Sequence, residues 1–376
     1  MFYITIKGSP HYRQMTFDDY LFGPDTFKTL AAPNETGTVT YERDSVSGYF
    51  RGHFDLPGFR AALTALRAET EELRARPVGT LYREFHIPKK SGGLRKIDAP
   101  CEELSAAQRK LKEILEKTEF MPYHTSAFAY VKGRSTVDAV RRHQQNESGW
   151  FGKYDLHDFF GSTTPAFLEH MLSMVFPYSA MFETPDDRAL MHDCLSLCFK
   201  DGGLPQGTPV SPFLTNVMMI PVDFRLTNAF REKHMIYTRY ADDFLVSSKK
   251  SFSFREAGDL IAAALESFGA PFHLNEQKTR YGSRAGANWN LGVMLNKDNE
   301  ITVGHAKKKQ FQNMLFAYAM DRRRGVRWDE SDIRTLAGYI SYYKMVEGDT
   351  ITRIVNHVCG KTGTDIPAAI KADLAV

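Results

Sequence analysis

The pattern of hydrophobic and polar positions along the chain changes its period several times. Apolar residues at helical spacing predict amphipathic helices, and Ser135 is expected to cap the start of one of them. Prolines in the first turn favour helix starts at Pro165 and Pro185. The predicted helices are Pro57–Arg76, Ser105–Lys117, Ser135–Gln145, Pro165–Phe176, Pro185–Phe199, Pro212–Arg231 and Ser253–Phe268, with interrupted helix from His305 onward.

Short runs of strand-forming residues lie between these helices. The predicted strands are a strand–turn–strand unit over Leu81–Ala99, then Gly152–Leu156, the two strands around Tyr240–Asp243, and Asn290–Leu295. Residues 1–55 are predicted to be irregular, because aromatic residues are interspersed with Gly, Pro and Asn. The mixed order of elements indicates an α+β protein in which an antiparallel sheet carries an acidic hairpin.

The tip of that hairpin is the most informative feature of the chain. Asp242 and Asp243 follow the strand-forming run Met235–Tyr240 and precede Phe244–Val246. Two adjacent carboxylates are costly to bury unless a cation meets them, and Mg²⁺ prefers carboxylate oxygen. The hairpin therefore predicts a magnesium site. A solvated turn is the alternative, since Asp is a common turn residue.

A second acidic position, Asp155, ends a predicted strand and is followed by Phe159 and Phe160. By itself this is typical of a strand-to-helix turn with an Asp cap. Together with the hairpin it supplies a third carboxylate. Two Mg²⁺ ions about 3.5–4 Å apart can then support an in-line displacement at phosphorus.

Two loops could hold a nucleotide near these carboxylates. The loop Gly202–Pro212 contains Gly and Pro residues that fix a sharp turn and let a backbone or a base approach closely. The basic turn at Lys89–Gly93 suits a triphosphate, with Lys89 as a point charge and Arg95 as a bidentate donor. The alternatives are an ordinary loop before a helix and a solvated charged turn.

Composition places the chain among ordinary soluble proteins. It has 376 residues, 43% hydrophobic and 25% charged, which suffices for two or three subdomains. The net charge is only +3, so a nucleic-acid surface must come from local clustering. No apolar run approaches the roughly 20 residues of a membrane span, and no signal peptide is evident, so a cytoplasmic protein without membrane contact is expected.

Four scattered cysteines argue against a disulfide framework. His192, Cys194 and Cys198 lie close together and allow a zinc hypothesis. However, the two cysteines are spaced for one face of an apolar helix, and a fourth ligand is missing nearby. The spacing therefore favours packing over metal binding.

The motifs, taken in order, resemble those of a bacterial reverse transcriptase from about Leu81 to Val303. The resemblance implies a right-hand polymerase with an antiparallel-sheet palm, fingers and a helical thumb. It places an N-terminal extension over 1–77, fingers over 78–150, a palm with a helical insertion over 151–303, and a helical thumb over 304–376. Asp155, Asp242 and Asp243 would hold two catalytic Mg²⁺ ions, and Lys278 would protonate pyrophosphate.

The resemblance also implies nucleotide contacts. Phe160 would lie against the sugar 2′ position and exclude ribonucleotides. Gln206 and Gly207 would lie against the incoming nucleotide and the templating base. Lys89 and Arg95 would grip the triphosphate from the fingers.

Nucleic-acid contacts are predicted after the palm motifs. Leu291 and Gly292 fall at the primer-grip turn of the family, and Tyr240 is expected to contact the primer. The chain is locally basic from Lys278 onward, with interspersed aromatic residues, which suits a thumb that follows a phosphate backbone. The basic residues are Arg280, Arg284, Lys307, Lys308, Lys309, Arg322, Arg323, Arg324 and Arg327.

The expected partners are a structured non-coding RNA template, a DNA primer or product, dNTPs, and an effector protein or a second copy of the chain. The resemblance points first to compact bacterial reverse transcriptases linked to phage defence. Retron enzymes are the second candidate. They carry Asn-Ala-x-x-His where this chain has Asp138 and a displaced His143, and Val-Thr-Gly where it has Asn290-Leu291-Gly292.

Other functions remain open at this stage. RNA-dependent RNA polymerases share the palm carboxylates, but Phe160 argues against one. Template-independent or protein-primed synthesis could use a tyrosine such as Tyr339, Tyr342 or Tyr343. A palm that binds RNA without catalysis is the non-enzymatic alternative.

Overall fold

A computed structural model describes residues 2–6, 12–15, 38–45, 48–88, 92–117, 123–284, 286 and 291–375. Its helices are α1 (Leu56–Glu69), α2 (Glu71–Ala75), α3 (Glu102–Glu116), α4 (Thr136–Gln145), α5 (Pro165–Leu172), α6 (Pro185–Ser196), α7 (Ser211–Met218), α8 (Ile220–Glu232), α9 (Phe254–Glu266), α10 (His305–Arg323), α11 (Glu330–Thr362) and α12 (Ile366–Asp373). None of the helices within these ranges is long and apolar enough to cross a bilayer.

The strands are β1 (Phe2–Ile6), β2 (Tyr12–Met15), β3 (Thr38–Ser45), β4 (Gly48–Asp55), β5 (Tyr82–Pro88), β6 (Leu94–Pro100), β7 (Trp150–Asp155), β8 (Ile236–Tyr240), β9 (Asp243–Ser248), β10 (Arg280–Ser283), β11 (Met294–Leu295) and β12 (Ile301–Thr302). They form two four-stranded sheets, ordered β2-β1-β3-β4 and β10-β7-β9-β8, and two hairpins, β5-β6 and β11-β12. Helices and antiparallel strands thus occur together, and the predicted α+β class is confirmed.

The chain divides into two compact units. One comprises Met1–Gly133, Tyr154–Phe244 and Ser253–Thr279, and the other comprises Arg134–Lys153, Leu245–Phe252 and Arg280–Val376. The first unit contains the hairpin turn at Asp242 and the end of β7. The second contains α4 and the C-terminal helices α10 to α12.

Several helix starts follow the local signals in the sequence. Ser135 caps α4 through a capping box, in which its hydroxyl accepts from the Asp138 N–H and the Asp138 carboxylate accepts from the Ser135 N–H. Pro165 and Pro185 begin α5 and α6 behind threonine caps. These predictions are confirmed because each depends on residues within one turn of the helix end.

Several predicted elements are wrong in their extent. The predicted helix Pro57–Arg76 is two helices, α1 and α2, separated at Thr70. The described part of residues 1–55 is not irregular, since it contains β1 to β4, with β3 and β4 paired from Thr38↔Asp55 to Ser45↔Gly48. The Thr, Val, Tyr and Phe residues of these strands favour a pleated sheet.

The predicted long helix Pro212–Arg231 is two helices, α7 and α8, that meet at Met219. Pro221 lies in the first turn of α8, where it lacks the N–H needed to continue α7. The predicted strand Asn290–Leu295 shrinks to β11, because the chain bends at Gly292 with a φ of +94°. Asn290 itself lies outside the described residues.

Cys194 and Cys198 are both fully buried, as the packing hypothesis predicted. The Cys194 thiol donates to the Leu63 carbonyl at 3.5 Å, and burial raises its pKa to about 11. His192 instead bonds Glu169 through Nδ1 at 2.7 Å. The cysteines therefore behave as small apolar side chains that join α6 to α1.

In the second unit, Glu347 interrupts α11 with a non-helical backbone, at φ −138° and ψ 58°. Its carboxylate accepts hydrogen bonds from the Val303 N–H at 2.8 Å and the Thr302 hydroxyl at 2.9 Å. It also pairs with the Lys308 ammonium at 2.8 Å. One carboxylate at the break thus ties α11 to β12 and to the start of α10.

Candidate active site

The acidic hairpin forms as predicted, with β8 and β9 joined through Ala241 and Asp242. Ala241 has a φ of +57°, a left-handed conformation that a non-Gly residue seldom adopts. Asp242 and Asp243 are half-buried at the turn and at the first position of β9. The turn therefore presents two consecutive carboxylates at one end of the sheet.

Asp155 is brought to the same end of the sheet. It is the last residue of β7 and is 7% exposed. The N–H of the next residue, Leu156, donates to the Asp242 carbonyl at 3.2 Å. The ends of β7 and the hairpin are thus bonded to each other, which gathers the three predicted carboxylates.

Lys278 lies among these carboxylates. Its Nζ is 2.9 Å from Oδ1 and 3.1 Å from Oδ2 of Asp155. The Asn275 N–H donates to the Asp155 carbonyl at 2.7 Å and anchors the turn that carries the lysine. Partial burial lowers the pKa of Lys278. The hydrogen bond to Asp155 and the negative charges of all three Asp residues raise the pKa by more than burial lowers it, so the net shift is upward.

The Lys278 ammonium is therefore bound to one of the three carboxylates that were predicted to hold metal ions. Among the described residues, no three Asp, Glu, His or Cys side chains converge closely enough to hold a metal ion in this conformation. Carboxylate oxygen is the donor type that a hard cation prefers. A metal ion bound by Asp155 would compete with the Lys278 ammonium for the same carboxylate.

A buried ion pair supports the hairpin from behind. Arg239 and Asp223 are both 0% exposed and form a bidentate pair, with Nε to Oδ1 at 2.8 Å and Nη2 to Oδ2 at 2.7 Å. Arg239 Nη1 also donates to the Asn216 side-chain oxygen and to the Ala241 carbonyl, each at 3.1 Å. The Tyr237 hydroxyl donates to Asp223 at 2.7 Å. This network fixes the turn that carries the catalytic candidates.

This network was not among the features predicted from the sequence. A signal was present, because Asn216 and Asp223 are seven residues apart in an otherwise apolar stretch and would share one face of a continuous helix. Arg239 and Tyr237 likewise alternate onto one face of β8. Polar residues in such positions indicate a buried hydrogen-bonded group.

Phe160 follows Asp155 by five residues, in a turn bonded to the Gly/Pro loop. It is half-buried, and its carbonyl accepts from the Leu204 N–H at 3.0 Å. A Cβ on Gly203 would lie 2.0 Å from the Gly161 carbonyl oxygen, so the two backbones touch and only Gly fits. The close approach fixes Phe160 relative to the loop that carries Gln206.

The same loop contacts the β5-β6 hairpin. The Gln206 carbonyl accepts from the Asp98 N–H at 2.8 Å. Gly207 has a φ of +110°, and a Cβ there would come within 2.7 Å of Ile97. Lys200 forms an ion pair with the buried Asp98 carboxylate. These contacts hold β6 against the loop.

The two basic residues predicted to grip a triphosphate have different outcomes. Arg95 lies on β6, three residues before Asp98, and is exposed. Lys89 lies outside the described residues. Arg95 therefore lies on the strand whose Ile97 and Asp98 contact the loop of Gln206 and Gly207.

Residues predicted to contact nucleic acid in the second unit have partners within that unit. The Lys307 ammonium donates to the Gly292 carbonyl at 2.7 Å, next to the buried Leu291. Lys308 pairs with Glu347.

Two arginines near the end of α10 also have partners in the same unit. Arg322 pairs with Asp373. Arg323 Nη1 donates to the Thr362 carbonyl at 3.0 Å, at the C-terminal end of α11. Both arginines therefore stabilise contacts within the second unit. Their contact with nucleic acid stays a prediction.

His143, the displaced histidine of the retron comparison, is fully buried. Its Nδ1 shares a hydrogen bond of 2.6 Å with the Ser247 hydroxyl, which in turn donates to Ser148. Burial lowers the pKa of His143 to about 3, so the ring is neutral near pH 7. It joins α4 to β9 in the second unit.

Comparison with known proteins agrees with this geometry. Residues 87–314 match the family described as Reverse transcriptase (RNA-dependent DNA polymerase). The chain is similar to the Retron Ec83 reverse transcriptase of Escherichia coli, 29% identical over 291 residues covering 75% of this chain and 88% of that protein. It is also 29% identical to the Retron Ec73 reverse transcriptase of Escherichia coli over 278 residues, or 72% of this chain and 85% of that protein.

Solved telomerase structures are more distant. The telomerase of Candida albicans in complex with a fragment of telomeric RNA aligns with a TM-score of 0.44 and 10% identity, covering 90% of this chain and 73% of that chain. A likeness at this distance carries no argument about function.

Proposed function

This chain belongs to the reverse transcriptase family of RNA-dependent DNA polymerases, and from that premise we propose that it copies a dedicated structured RNA into DNA that stays linked to RNA. The DNA polymerase activity follows from the family. The RNA-linked product is proposed because retron reverse transcriptases are among its similar curated relatives. A role in anti-phage defence is proposed from the resemblance to compact bacterial reverse transcriptases.

The observation that carries the proposed chemistry is the Lys278 ammonium held against Asp155 beside Asp242 and Asp243. Enzymes of this family depend on divalent metal ions, and the proposal is that these three carboxylates hold two Mg²⁺ ions. When bound, the ions polarise the attacking hydroxyl and stabilise the leaving pyrophosphate. Lys278 then lies free of Asp155 and donates a proton to pyrophosphate as it leaves.

The remaining site residues hold the nucleotide. Gln206 and Gly207 line the loop against which the incoming nucleotide and templating base lie, and Arg95 and Lys89 bind the triphosphate. The proposed partners are a structured RNA, a DNA primer or product, dNTPs, and an effector protein or a second copy, in the cytoplasm. The proposed division remains fingers over 78–150, palm over 151–303 and thumb over 304–376, after an N-terminal extension.

The product proposal is tested on nucleic acid that copurifies with the chain. DNA should be present, and digestion with ribonuclease should increase its electrophoretic mobility because an attached RNA is removed. The purified protein should also extend a primer on an RNA template with dNTPs and Mg²⁺. DNA whose mobility is unchanged by ribonuclease would exclude the RNA-linked product while leaving the polymerase activity intact.

Phe160 should control the choice of sugar. Replacing Phe160 by Ala removes the side chain proposed to clash with a 2′-hydroxyl, so ribonucleotide use relative to dNTP use should rise by about 10- to 100-fold. The measurement is kcat/KM for rNTP and dNTP on one RNA template. Phe160→Tyr keeps the bulk and should retain the wild-type preference. Unchanged selectivity in Phe160→Ala would remove this residue from the sugar site.

A further inference from the structure

Tyr130 combines exposure with an unusual backbone conformation. The residue is 55% exposed and has a φ of +58°. Left-handed backbone costs a non-Gly residue about 1–2 kcal/mol, and such strain persists only where the surroundings enforce it. An exposed ring contributes little to the core, so stability alone does not explain a tyrosine here.

The segment before Tyr130 runs parallel to β8. The Arg239 backbone N–H donates to the Ser126 carbonyl at 2.7 Å, and the Phe128 backbone N–H donates to the Arg239 carbonyl at 2.9 Å. Ala127 and Arg239 therefore form a parallel bridge. Beyond this bridge the two segments run in the same direction. Tyr130 lies three residues after Ala127, and Asp242 lies three residues after Arg239.

The buried network behind the hairpin also holds the Tyr130 loop. Asn216 is 0% exposed, and its Nδ2 donates to the Ala129 carbonyl at 2.7 Å. Its side-chain oxygen accepts from Arg239, which also binds the Ala241 carbonyl. Two left-handed residues, Tyr130 and Ala241, are thus fixed by one group of side chains.

Electrostatics agree with this placement. Partial burial, then the negative charge of Asp242 and the neighbouring Tyr240, raise the pKa of Tyr130, while Arg95 lowers it. The hydroxyl therefore interacts electrostatically with Asp242 of the acidic turn and with Arg95 of β6. The bridge to β8 and the interaction with Asp242 place Tyr130 near the acidic turn, where the proposed function has the primer end and the incoming nucleotide.

We propose that Tyr130 is a positioning residue whose exposed ring stacks on a nucleobase of the primer–template at the active site. The inference rests on the proposed function and adds a contact that the motifs do not contain. Stacking on an aromatic ring tolerates any base, because every base has a π-face. A rigid left-handed loop suits this task, since it holds the ring in place without burying it.

Two substitutions separate the contribution of the Tyr130 ring from the contributions of its hydroxyl and its backbone conformation. Tyr130→Asn removes the ring but keeps a residue that tolerates left-handed φ, and Tyr130→Phe keeps the ring and removes the hydroxyl. Tyr130→Asn should weaken binding of a primer–template by about 5- to 100-fold. Tyr130→Phe should bind as the wild type does, and both variants should keep the wild-type Tm.

The measurement is Kd by fluorescence anisotropy with a labelled RNA–DNA primer–template, followed by KM and kcat for extension. Because binding does not require turnover, an inactive wild-type protein would refute the proposed polymerase function and still report on Tyr130. Equal Kd and KM values for Tyr130→Asn and wild type would overturn the stacking role. An equal loss in Tyr130→Phe would overturn it too, since the hydroxyl would then carry the effect.

Discussion

Replacing Asp242 by Asn should lower the rate of primer extension by about a thousandfold or more. The substitution keeps the shape of the side chain but removes the charge that a divalent ion needs, and metal stabilisation of a phosphoryl-transfer transition state amounts to several kcal/mol. Asp242 is half-buried in a turn whose Ala241 carbonyl accepts from Arg239, so the substitution leaves the backbone of the turn supported. The measurement is single-turnover extension on an RNA template at saturating Mg²⁺.

Asp158→Asn provides a matched control. Asp158 is an exposed carboxylate three residues after Asp155, with a φ of +43° that Asn also tolerates. The control removes the same charge nearby and should leave the extension rate within a few fold. Wild-type rates in Asp242→Asn would refute the metal assignment, whereas equal losses in both variants would point to net charge rather than coordination.

Replacing Asp223 by Asn should destabilise the first unit by about 3–5 kcal/mol, because it leaves the Arg239 guanidinium buried and uncompensated. Burial acts to lower the pKa of Arg239, but the charge and hydrogen bonds of Asp223 raise it further, so the arginine stays charged. The free energy of unfolding measured in urea reports the loss. Extension should fall as well, since the Ala241 turn loses its support.

A double-mutant cycle separates the pair from its surroundings. Adding Arg239→Met to Asp223→Asn removes the unpaired charge and should recover part of the stability. If the double variant lost as much stability as the Asp223→Asn and Arg239→Met single variants lose together, the two residues would not be coupled. A stable double variant that remains slow would show that Arg239 positions the turn in addition to stabilising it.

The parts of the site that the sequence predicted depend on local patterns. Asp242 lies between two strand-forming runs, Asp155 ends a third, and Ser135 begins a helix with its own capping partner. Each needs only neighbouring residues to be recognised. The structure brings Asp155, Asp242, Asp243 and Lys278 together, while their catalytic roles remain predictions.

The parts that the sequence did not predict depend on contacts between distant residues. Asp223 resembles any charged residue of an amphipathic helix until Arg239 is placed against it. Arg322 and Lys308 resemble nucleic-acid contacts, but their carboxylate partners are 51 and 39 residues away. The break at Met219 was within reach, because Pro221 cannot continue a helix, whereas the pairing of β1 with β3 spans a long separation.

The ammonium of Lys278 on Asp155 has a consequence for how the enzyme is activated. If Asp155 holds a metal ion as proposed, loading the site would exchange one cation for another, and the Lys278 ammonium would compete with the metal ion and weaken its apparent affinity. The positive charge of the ammonium also offsets the repulsion among the neighbouring carboxylates. A neutral residue at position 278 would thus raise the affinity for the metal ion and lower the rate of the chemical step.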